Sequence, residues 1–260
     1  MPPATPSAAD LLAMTDASTS TLPALRTLPS VMIPGLACSP RLFAPQLPTL
    51  WRFGPVTVAN TLQHNRIADM ARAILDQAPA QFVLLGLSMG GYIALEIMRQ
   101  APERIIGLCI MNSSARADTE ESQKNRQRLM ALAGEGRLQL ATEMNFPRSV
   151  HPAHKHDKDL LATVLAMAKE TGVDSYIQQQ EAILHRIDSL PSLDAITCPT
   201  LIMVGDQDQL TPLPLAQELS QGIAGSKLRI IANCGHLSTL EQTQQVNRAL
   251  QQWLSTLQTA

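Results

Sequence analysis

The sequence is poor in aromatic residues, has no closely paired cysteines and contains no long apolar run. Aromatic residues make up 3% of the 260 positions, too few for a platform on which single-stranded nucleic acid would stack. No apolar run approaches the roughly 18 residues that a membrane-spanning helix needs. The cysteines form no C-x-x-C pair, which excludes a disulfide framework or a cysteine zinc site and is typical of free thiols in a reducing compartment; they are Cys38, Cys109, Cys198 and Cys234.

The sequence also lacks a strong charge of either sign. The formal net charge is −2, and no run of Lys and Arg breaks that balance, which argues against a nucleic-acid partner. Residues 1–28 are rich in Ala, Pro, Ser and Thr but lack a basic segment followed by a long apolar one. We therefore expect a flexible N-terminal tail without a secretory signal, and a cytoplasmic protein.

The stretch Phe82–Leu95 is the one around which the chain is organised. It begins as a short apolar run, typical of a buried parallel strand, and continues with Gly, Ala and Leu at helical spacing. Between the two, Gly86-Leu87-Ser88-Met89-Gly90 matches G-x-S-x-G, in the strand-to-helix context where that motif presents a nucleophilic serine. The pattern predicts that Ser88 Oγ stands above the edge of a sheet, beside the N-terminus of the following helix.

Apolar runs alternate with helical periodicity along most of the chain, which predicts an α/β fold with a mostly parallel sheet and helices on both faces. Strands are predicted at 29–33, at 55–60, from Phe82 onward, and at 105–111, 200–205 and 227–231. From 116 to 190 the periodicity is helical throughout, with candidate helices at 120–133, 137–144, 157–171 and 174–185, and a last helix is predicted over 239–257. We therefore predict an α/β core over 29–115 and 191–260, interrupted by a helical cap over 116–190.

A serine nucleophile needs a base to take its proton and a carboxylate to orient that base. Asp206 and Asp208 follow one predicted strand, and His236 follows the last one. Because the carboxyl ends of parallel strands meet at the same edge of a sheet, we expect these side chains near Ser88. The chain order serine, acid, histidine is found in only one of the serine-triad folds.

Two other groups of residues allow a different interpretation. Cys234 lies near His236 and could be a catalytic thiol, but a serine already occupies the strand-to-helix turn. His151, His154 and His156 suggest a metal site. The proline among them and the absence of a helical i, i+4 pair favour a solvated loop instead, so no metal is predicted.

From about Ser30 to Trp253 the sequence resembles the α/β-hydrolase superfamily. It is most similar to capped esterase and lactonase members with a P-G-L-x-C oxyanion loop, here Pro34-Gly35-Leu36-Ala37-Cys38. The resemblance implies that the backbone N–H groups of Leu36 and Met89 hold the oxyanion.

The same resemblance selects the acid. Gly205, Asp208 and Pro212 match the family's G-x-x-D-x-x-x-P pattern, so Asp208 is expected to be the acid and Asp206 is the alternative. The sequence departs from the family in two ways: Pro34 stands where many relatives carry His, and no leading strand pair is evident in residues 1–29. We therefore expect a sheet of six strands.

The resemblance implies a cofactor-independent serine hydrolase that cleaves a carboxylic ester, a lactone or a thioester of a small-molecule acyl substrate through an acyl-enzyme on Ser88. Met144 and Phe146 are predicted to line its pocket from the cap. Relatives with the same triad hydrolyse carbon–carbon bonds, cleave hydroxynitriles or catalyse cofactor-free dioxygenation, and a non-catalytic ligand receptor on this scaffold is a further alternative. A haloalkane dehalogenase is disfavoured, since that chemistry needs a carboxylate at the position of Ser88.

Overall fold

The computed structural model describes residues 26–259, so most of the predicted N-terminal tail lies outside the described residues. In it, six strands form one parallel sheet, in agreement with the prediction. They are β1 (Ser30–Ile33), β2 (Val56–Val58), β3 (Phe82–Leu87), β4 (Ile105–Met111), β5 (Thr200–Gly205) and β6 (Lys227–Ile231). The predicted bounds of β4, β5 and β6 agree with the structure at both ends.

The strand order, β2-β1-β3-β4-β5-β6, places a switch point between β1 and β3. From β1 the chain first crosses to β2, then returns past β1 to β3, and each later strand is added on the far side. In an open α/β sheet the loops at such a point diverge and leave a crevice at the carboxyl ends of the strands. The loops that contain Leu36 and Ser88 follow β1 and β3, so the topology brings both to this crevice.

Helices connect the strands and cover the sheet. They are α1 (Leu47–Trp51), α2 (Ile67–Gln77), α3 (Met89–Gln100), α4 (Glu120–Gly134), α5 (Leu138–Ser149), α6 (Lys158–Thr171), α7 (Val173–Leu184), α8 (Leu213–Gly222), α9 (Ser238–Glu241) and α10 (Thr243–Gln258). The four helices α4 to α7 all lie between β4 and β5, in the segment where the sequence predicts a helical block. No helix within residues 26–259 has both the length and the apolarity to cross a bilayer.

Two hydrophobic cores hold these layers together, one on each face of the sheet. Every residue of β3 is buried, and successive side chains point to opposite faces, as a pleated strand requires. Leu84 packs with α2, α3 and α8 on one face, while Val83 and Leu85 pack with α1 and α10 on the other. Burial on both faces is the reason why the central strands are continuous apolar runs in the sequence.

Two of the predicted helices differ from the structure by more than one residue at an end or by a break. The helix predicted to end at Met144 continues as α5 to Ser149, with Pro147 in its last turn. That turn is held by the buried side chain of Phe146 and by the Ser149 hydroxyl, which donates to the Asn145 carbonyl oxygen. The single closing helix is instead divided into α9 and α10, because Gln242 between them has a non-helical backbone, with φ −129° and ψ 49°.

Candidate active site

Ser88 occupies a strained turn between β3 and α3. Its backbone lies at φ 57° and ψ −116°, a conformation that costs free energy for a residue with a Cβ and that is concentrated at functional sites. The glycines on either side are required by the turn. A Cβ at Gly86 would overlap the carbonyl of Gly90, and a Cβ at Gly90 would overlap the carbonyl of Ile33.

The loop after β1 lies directly against this turn. A Cβ at Gly35 would be 3.4 Å from Ser88 Cβ. The loop is held by a hydrogen bond from the Ala37 N–H to the buried Gln179 side chain (2.9 Å), and Ala37 has a positive φ of 55°. Within the described part of the chain, neither the Leu36 N–H nor the Met89 N–H donates to a protein acceptor. Two backbone donors beside Ser88 are therefore available to a ligand, and they are the two that the resemblance implies.

Asp208 and His236 form a buried pair at the ends of β5 and β6. Asp208 Oδ2 lies 2.8 Å from His236 Nδ1, and both residues are at most 5% exposed. The two carboxylate oxygens accept four further hydrogen bonds, from the Leu210 and Thr211 N–H groups, Thr211 Oγ1 and Asn112 Nδ2. Since a carboxylate can only accept, the proton of neutral His236 lies on Nδ1, and Nε2 remains free to act as a base.

The environment keeps Asp208 ionised. Burial alone would raise the pKa of this carboxyl, but the charge of His236 and the surrounding donors outweigh burial and lower the pKa to about 2. Asp208 is thus a carboxylate at neutral pH, able both to orient the imidazole and to stabilise it when it takes up a proton.

Asp206, the alternative acid, does not contact His236. Its carboxylate accepts hydrogen bonds from the N–H groups of Asn233 (3.0 Å) and Cys234 (2.9 Å) and so ties the loop after β6 to the end of β5. Of the two candidate acids, the structure brings Asp208 to the histidine, and Asp206 supports the loop that precedes it.

The Cys234 thiol is not available as a nucleophile. It is fully buried, and burial together with the nearby acids raises its pKa well above the ordinary range of a thiol. Two of the three histidines of the metal alternative have other contacts: His151 Nδ1 accepts from the Ala153 N–H, and His154 Nδ1 lies 2.9 Å from Glu241. Among residues 26–259 no group of three or more His, Cys, Asp or Glu side chains is arranged to hold a metal ion.

Asn112 is a site residue that the sequence analysis does not single out. It is fully buried at the end of β4, with a positive φ of 46°. Its Nδ2 donates to Asp208 Oδ2 (2.9 Å) and to the Gly235 carbonyl (3.2 Å), and its Oδ1 accepts from Ser238 Oγ (2.6 Å). Asn112 thus links the acid to the segments on both sides of the histidine. The available signal was a polar residue directly after an apolar strand of a parallel sheet.

Ser88 and His236 open onto one cavity of about 410 Å³. Its floor is the turn at Ser88 and the loop after β1, and its walls are contributed by all four helices α4 to α7. Phe146 lines it, with 3% of the residue exposed. Ser88 Oγ makes no hydrogen bond to His236 in the described part of the chain, so the serine hydroxyl is free to meet a ligand in the cavity.

The prediction for Met144 is wrong. This side chain is 44% exposed and does not line the cavity. The cavity face of α5 carries Ala141, Asn145 and Ser149, spaced four residues apart, whereas Met144 lies to one side of this row and faces solvent.

Comparison with known proteins places this arrangement in a family. The model of the "Alpha/beta hydrolase family" matches residues 20–249. Among curated proteins, the chain is 26% identical to a pimeloyl-[acyl-carrier protein] methyl ester esterase of Neisseria meningitidis over 212 residues, which cover 77% of this chain and 81% of that protein.

Solved structures give the same fold. An esterase from Thermogutta terrifontis with malate bound matches with a TM-score of 0.80 and 24% identity, covering 89% of this chain and 90% of its own. The enol-lactonase from Burkholderia xenovorans matches with a TM-score of 0.80 and 21% identity, covering 88% of this chain and 92% of its own.

Proposed function

The chain belongs to the α/β-hydrolase family and is an enzyme of that type, and from this premise we propose that it is a serine hydrolase that cleaves a carboxylic ester through an acyl-enzyme on Ser88. One observation carries the proposal. The buried Asp208–His236 pair and the strained Ser88 turn come from separate loops and meet at one cavity. A lactone or a thioester would react by the same steps.

Acylation begins when Ser88 Oγ attacks the substrate carbonyl carbon and His236 Nε2 takes the hydroxyl proton. Asp208 stabilises the imidazolium that results. The N–H groups of Leu36 and Met89 donate to the carbonyl oxygen as it becomes an oxyanion, an interaction worth about 3 kcal/mol per donor. When the tetrahedral intermediate collapses, the imidazolium gives its proton to the leaving alkoxide oxygen, and the acyl group remains on Ser88.

Deacylation repeats these roles with water as the nucleophile. His236 Nε2 takes a proton from water, and the hydroxide oxygen attacks the acyl carbon. Collapse of the second intermediate breaks the bond to Ser88 Oγ, which receives the proton from the imidazolium, and releases the carboxylic acid. Every group in this cycle belongs to the chain, the substrate or water, so the proposal requires no cofactor.

The helices α4 to α7 act in this proposal as a cap. They enclose the cavity above Ser88, exclude bulk water from the acyl-enzyme and supply the wall against which the substrate packs. Phe146 forms part of that wall and is the residue we assign to recognition of the length of the apolar chain. Met144, which the sequence also predicts to line the pocket, has no such part.

A fluorophosphonate probe and a substrate panel test the assignment. The probe should label Ser88 and leave Ser88→Ala unlabelled, and the wild-type enzyme should turn over p-nitrophenyl esters in a C2-to-C10 series, with lactones and thioesters alongside. Labelling at another residue, or absence of turnover on every ester, lactone and thioester, would refute the proposal. If the enzyme cleaves a carbon–carbon bond in a diketone faster than any ester, its reaction is carbon–carbon bond hydrolysis by the same residues.

A further inference from the structure

One wall of the cavity is polar and carries a positive charge. Leu129, Phe146 and Met167 are among the apolar residues that line it, whereas Arg126 on α4 and Tyr176 and Gln180 on α7 line it with polar groups. The triad has no use for these polar groups, because the steps above involve only the floor of the cavity.

Arg126 shares its carboxylate partner with a second arginine. Its Nε lies 2.6 Å from Asp118 Oδ2, and Arg186 Nη1 lies 2.7 Å from Asp118 Oδ1. The Asp118 side chain is 4% exposed, and although burial alone would raise its pKa, the two guanidinium groups lower it, so the cluster holds one negative and two positive charges. One positive charge is left over in a largely enclosed place, where an unpaired charge is costly.

The surplus charge lies on the cavity side. Arg186 does not line the cavity; it lies over the ring of Tyr92, 4.2 Å from the centroid, and donates to the carbonyls of Arg116 and Ile183. Arg126 is the member of the pair that lines the cavity. A ligand there would meet Arg126 and not its neighbour.

Arg126 has unused donors. A guanidinium has five N–H groups. Two of those of Arg126 go to Asp118 and one goes to Gln180 Oε1 (2.9 Å), which leaves two without an acceptor in the described part of the chain. Gln180 is held in turn by donating to Tyr176 Oη (2.8 Å), so the Tyr176 hydroxyl proton is also free to donate. The wall thus offers three hydrogen-bond donors, two on Arg126 and one on Tyr176, and its best ligand is a group that only accepts hydrogen bonds.

From this geometry we propose that the substrate is an ester that carries a carboxylate away from the scissile bond, and that Arg126 and Tyr176 bind that carboxylate. The inference rests on the proposed function. A carboxylate only accepts hydrogen bonds and brings one negative charge to one surplus positive charge, whereas a phosphate would bring nearly two. Glu121 and Arg148 also line the cavity, but both are exposed, where water screens their charges.

Matched substrates test this charge recognition. The monomethyl esters of linear dicarboxylic acids are compared with methyl esters of monocarboxylic acids of the same chain length, which places the carboxylate on the acyl side. Acetate esters of hydroxy acids, compared with acetate esters of alkanols, place it on the alcohol side. The wild-type enzyme should prefer the charged member of one series by about tenfold or more in kcat/KM, since a charge-assisted hydrogen bond contributes that much.

Variants of the wall attribute the preference to its residues. Arg126→Gln should lower kcat/KM for the preferred charged ester by about 10- to 100-fold and for its neutral match by less than about threefold. Tyr176→Phe keeps both arginine contacts of Asp118, and it should lower kcat/KM for the charged ester alone, by about three- to tenfold. Arg128→Gln is the control, because Arg128 is exposed on the same helix and does not line the cavity.

Binding to an inactive enzyme separates this inference from the proposed function. Calorimetry should detect a linear dicarboxylate on Ser88→Ala and little binding on Ser88→Ala combined with Tyr176→Phe or Arg126→Gln, with circular dichroism confirming that each variant is folded. Binding without turnover of any ester by the wild type would sustain the carboxylate site and refute the hydrolase proposal. Equal rates on charged and neutral esters, with both lowered alike by the variants, would overturn the carboxylate site and leave the hydrolase proposal standing.

Discussion

Replacing Asp208 by Asn isolates the charge of the acid, since the two side chains have the same shape. One Asp208 oxygen faces two backbone N–H groups, and the other faces His236 Nδ1, Thr211 Oγ1 and Asn112 Nδ2. The amide has one oxygen and one NH₂ group, so either orientation turns its NH₂ toward groups that now donate. The backbone N–H groups cannot reverse their role, so we expect the amide oxygen on their side.

That orientation points the NH₂ group at His236 Nδ1, which must then accept. The imidazole proton moves to Nε2, and the nitrogen that should take the Ser88 proton becomes a donor. The variant also loses the charge that stabilises the imidazolium. Together these losses should lower kcat by about 10³- to 10⁴-fold, with a far-ultraviolet circular dichroism spectrum like that of the wild type.

The assay is kcat on a short p-nitrophenyl ester at neutral pH, with Asp206→Asn as the matched control. Asp206 accepts only from the N–H groups of Asn233 and Cys234, so Asp206→Asn should lower kcat by less than about tenfold. If Asp206→Asn is the more damaging change, or if Asp208→Asn keeps more than a tenth of the activity, the acid has been assigned to the wrong residue.

Four further predictions follow from the same contacts. Ser88→Ala should lower turnover by about 10⁴-fold or more while leaving the fold intact, and retention of a tenth of the activity would contradict the nucleophile assignment. Asn112→Ala should lower kcat by about tenfold with little change in KM, because it acts through Asp208; an effect on KM alone would place its role elsewhere. Phe146→Ala should reduce kcat/KM more for long than for short acyl chains, by up to about 0.8 kcal/mol per CH₂. Met144→Ala should leave kcat/KM unchanged for both, and a uniform fall for Phe146→Ala across a C2-to-C10 series would mean that Phe146 only supports the fold. The pKa of Asp208 is about 2 in the folded protein and near 4 when unfolded, so its ionised form contributes about 2 kcal/mol to the free energy of unfolding above pH 4, and this contribution is lost as the pH falls toward 2. Acid unfolding followed by circular dichroism should therefore show a smaller loss of stability between pH 4 and pH 2 in Asp208→Asn than in the wild type.

The sequence predicts the central part of the sheet well because the strands β3, β4 and β5 are buried on both faces. Such strands must be apolar at nearly every position, and β4 and β5 therefore stand out as runs whose ends coincide with the structural ends. Ser88 and Asp208 are recognisable for a related reason, since Ser88 directly follows the buried strand β3 and Asp208 lies three residues after the buried strand β5. His236 follows the mostly exposed edge strand β6, and the parallel topology brings all three residues to the same edge of the sheet. Met144 is an error of another kind: periodicity identifies the helix, but nothing local determines which side of α5 faces the cavity.

Arg126 and Asn112 depend on contacts that spacing does not reveal. The contact of Arg126 with Gln180 spans 54 residues, and that of Asn112 with Asp208 spans 96. Both belong to buried polar networks whose members come from different helices or strands.

Glu241, at the end of α9, connects the segment that follows α5 to the segment around His236. The Glu241 side chain is fully buried at the end of α9, where it accepts from the N–H groups of Gly235 (3.0 Å) and His151 (2.6 Å). His236 N–H donates to the Ser149 carbonyl (3.1 Å) at the end of α5. The end of α5 and the segment around His236 are therefore joined twice, directly through the Ser149 carbonyl and indirectly through the Glu241 carboxylate. Because α5 also carries Phe146 into the cavity, a substitution that shifts this helix should change substrate choice and the position of the imidazole together.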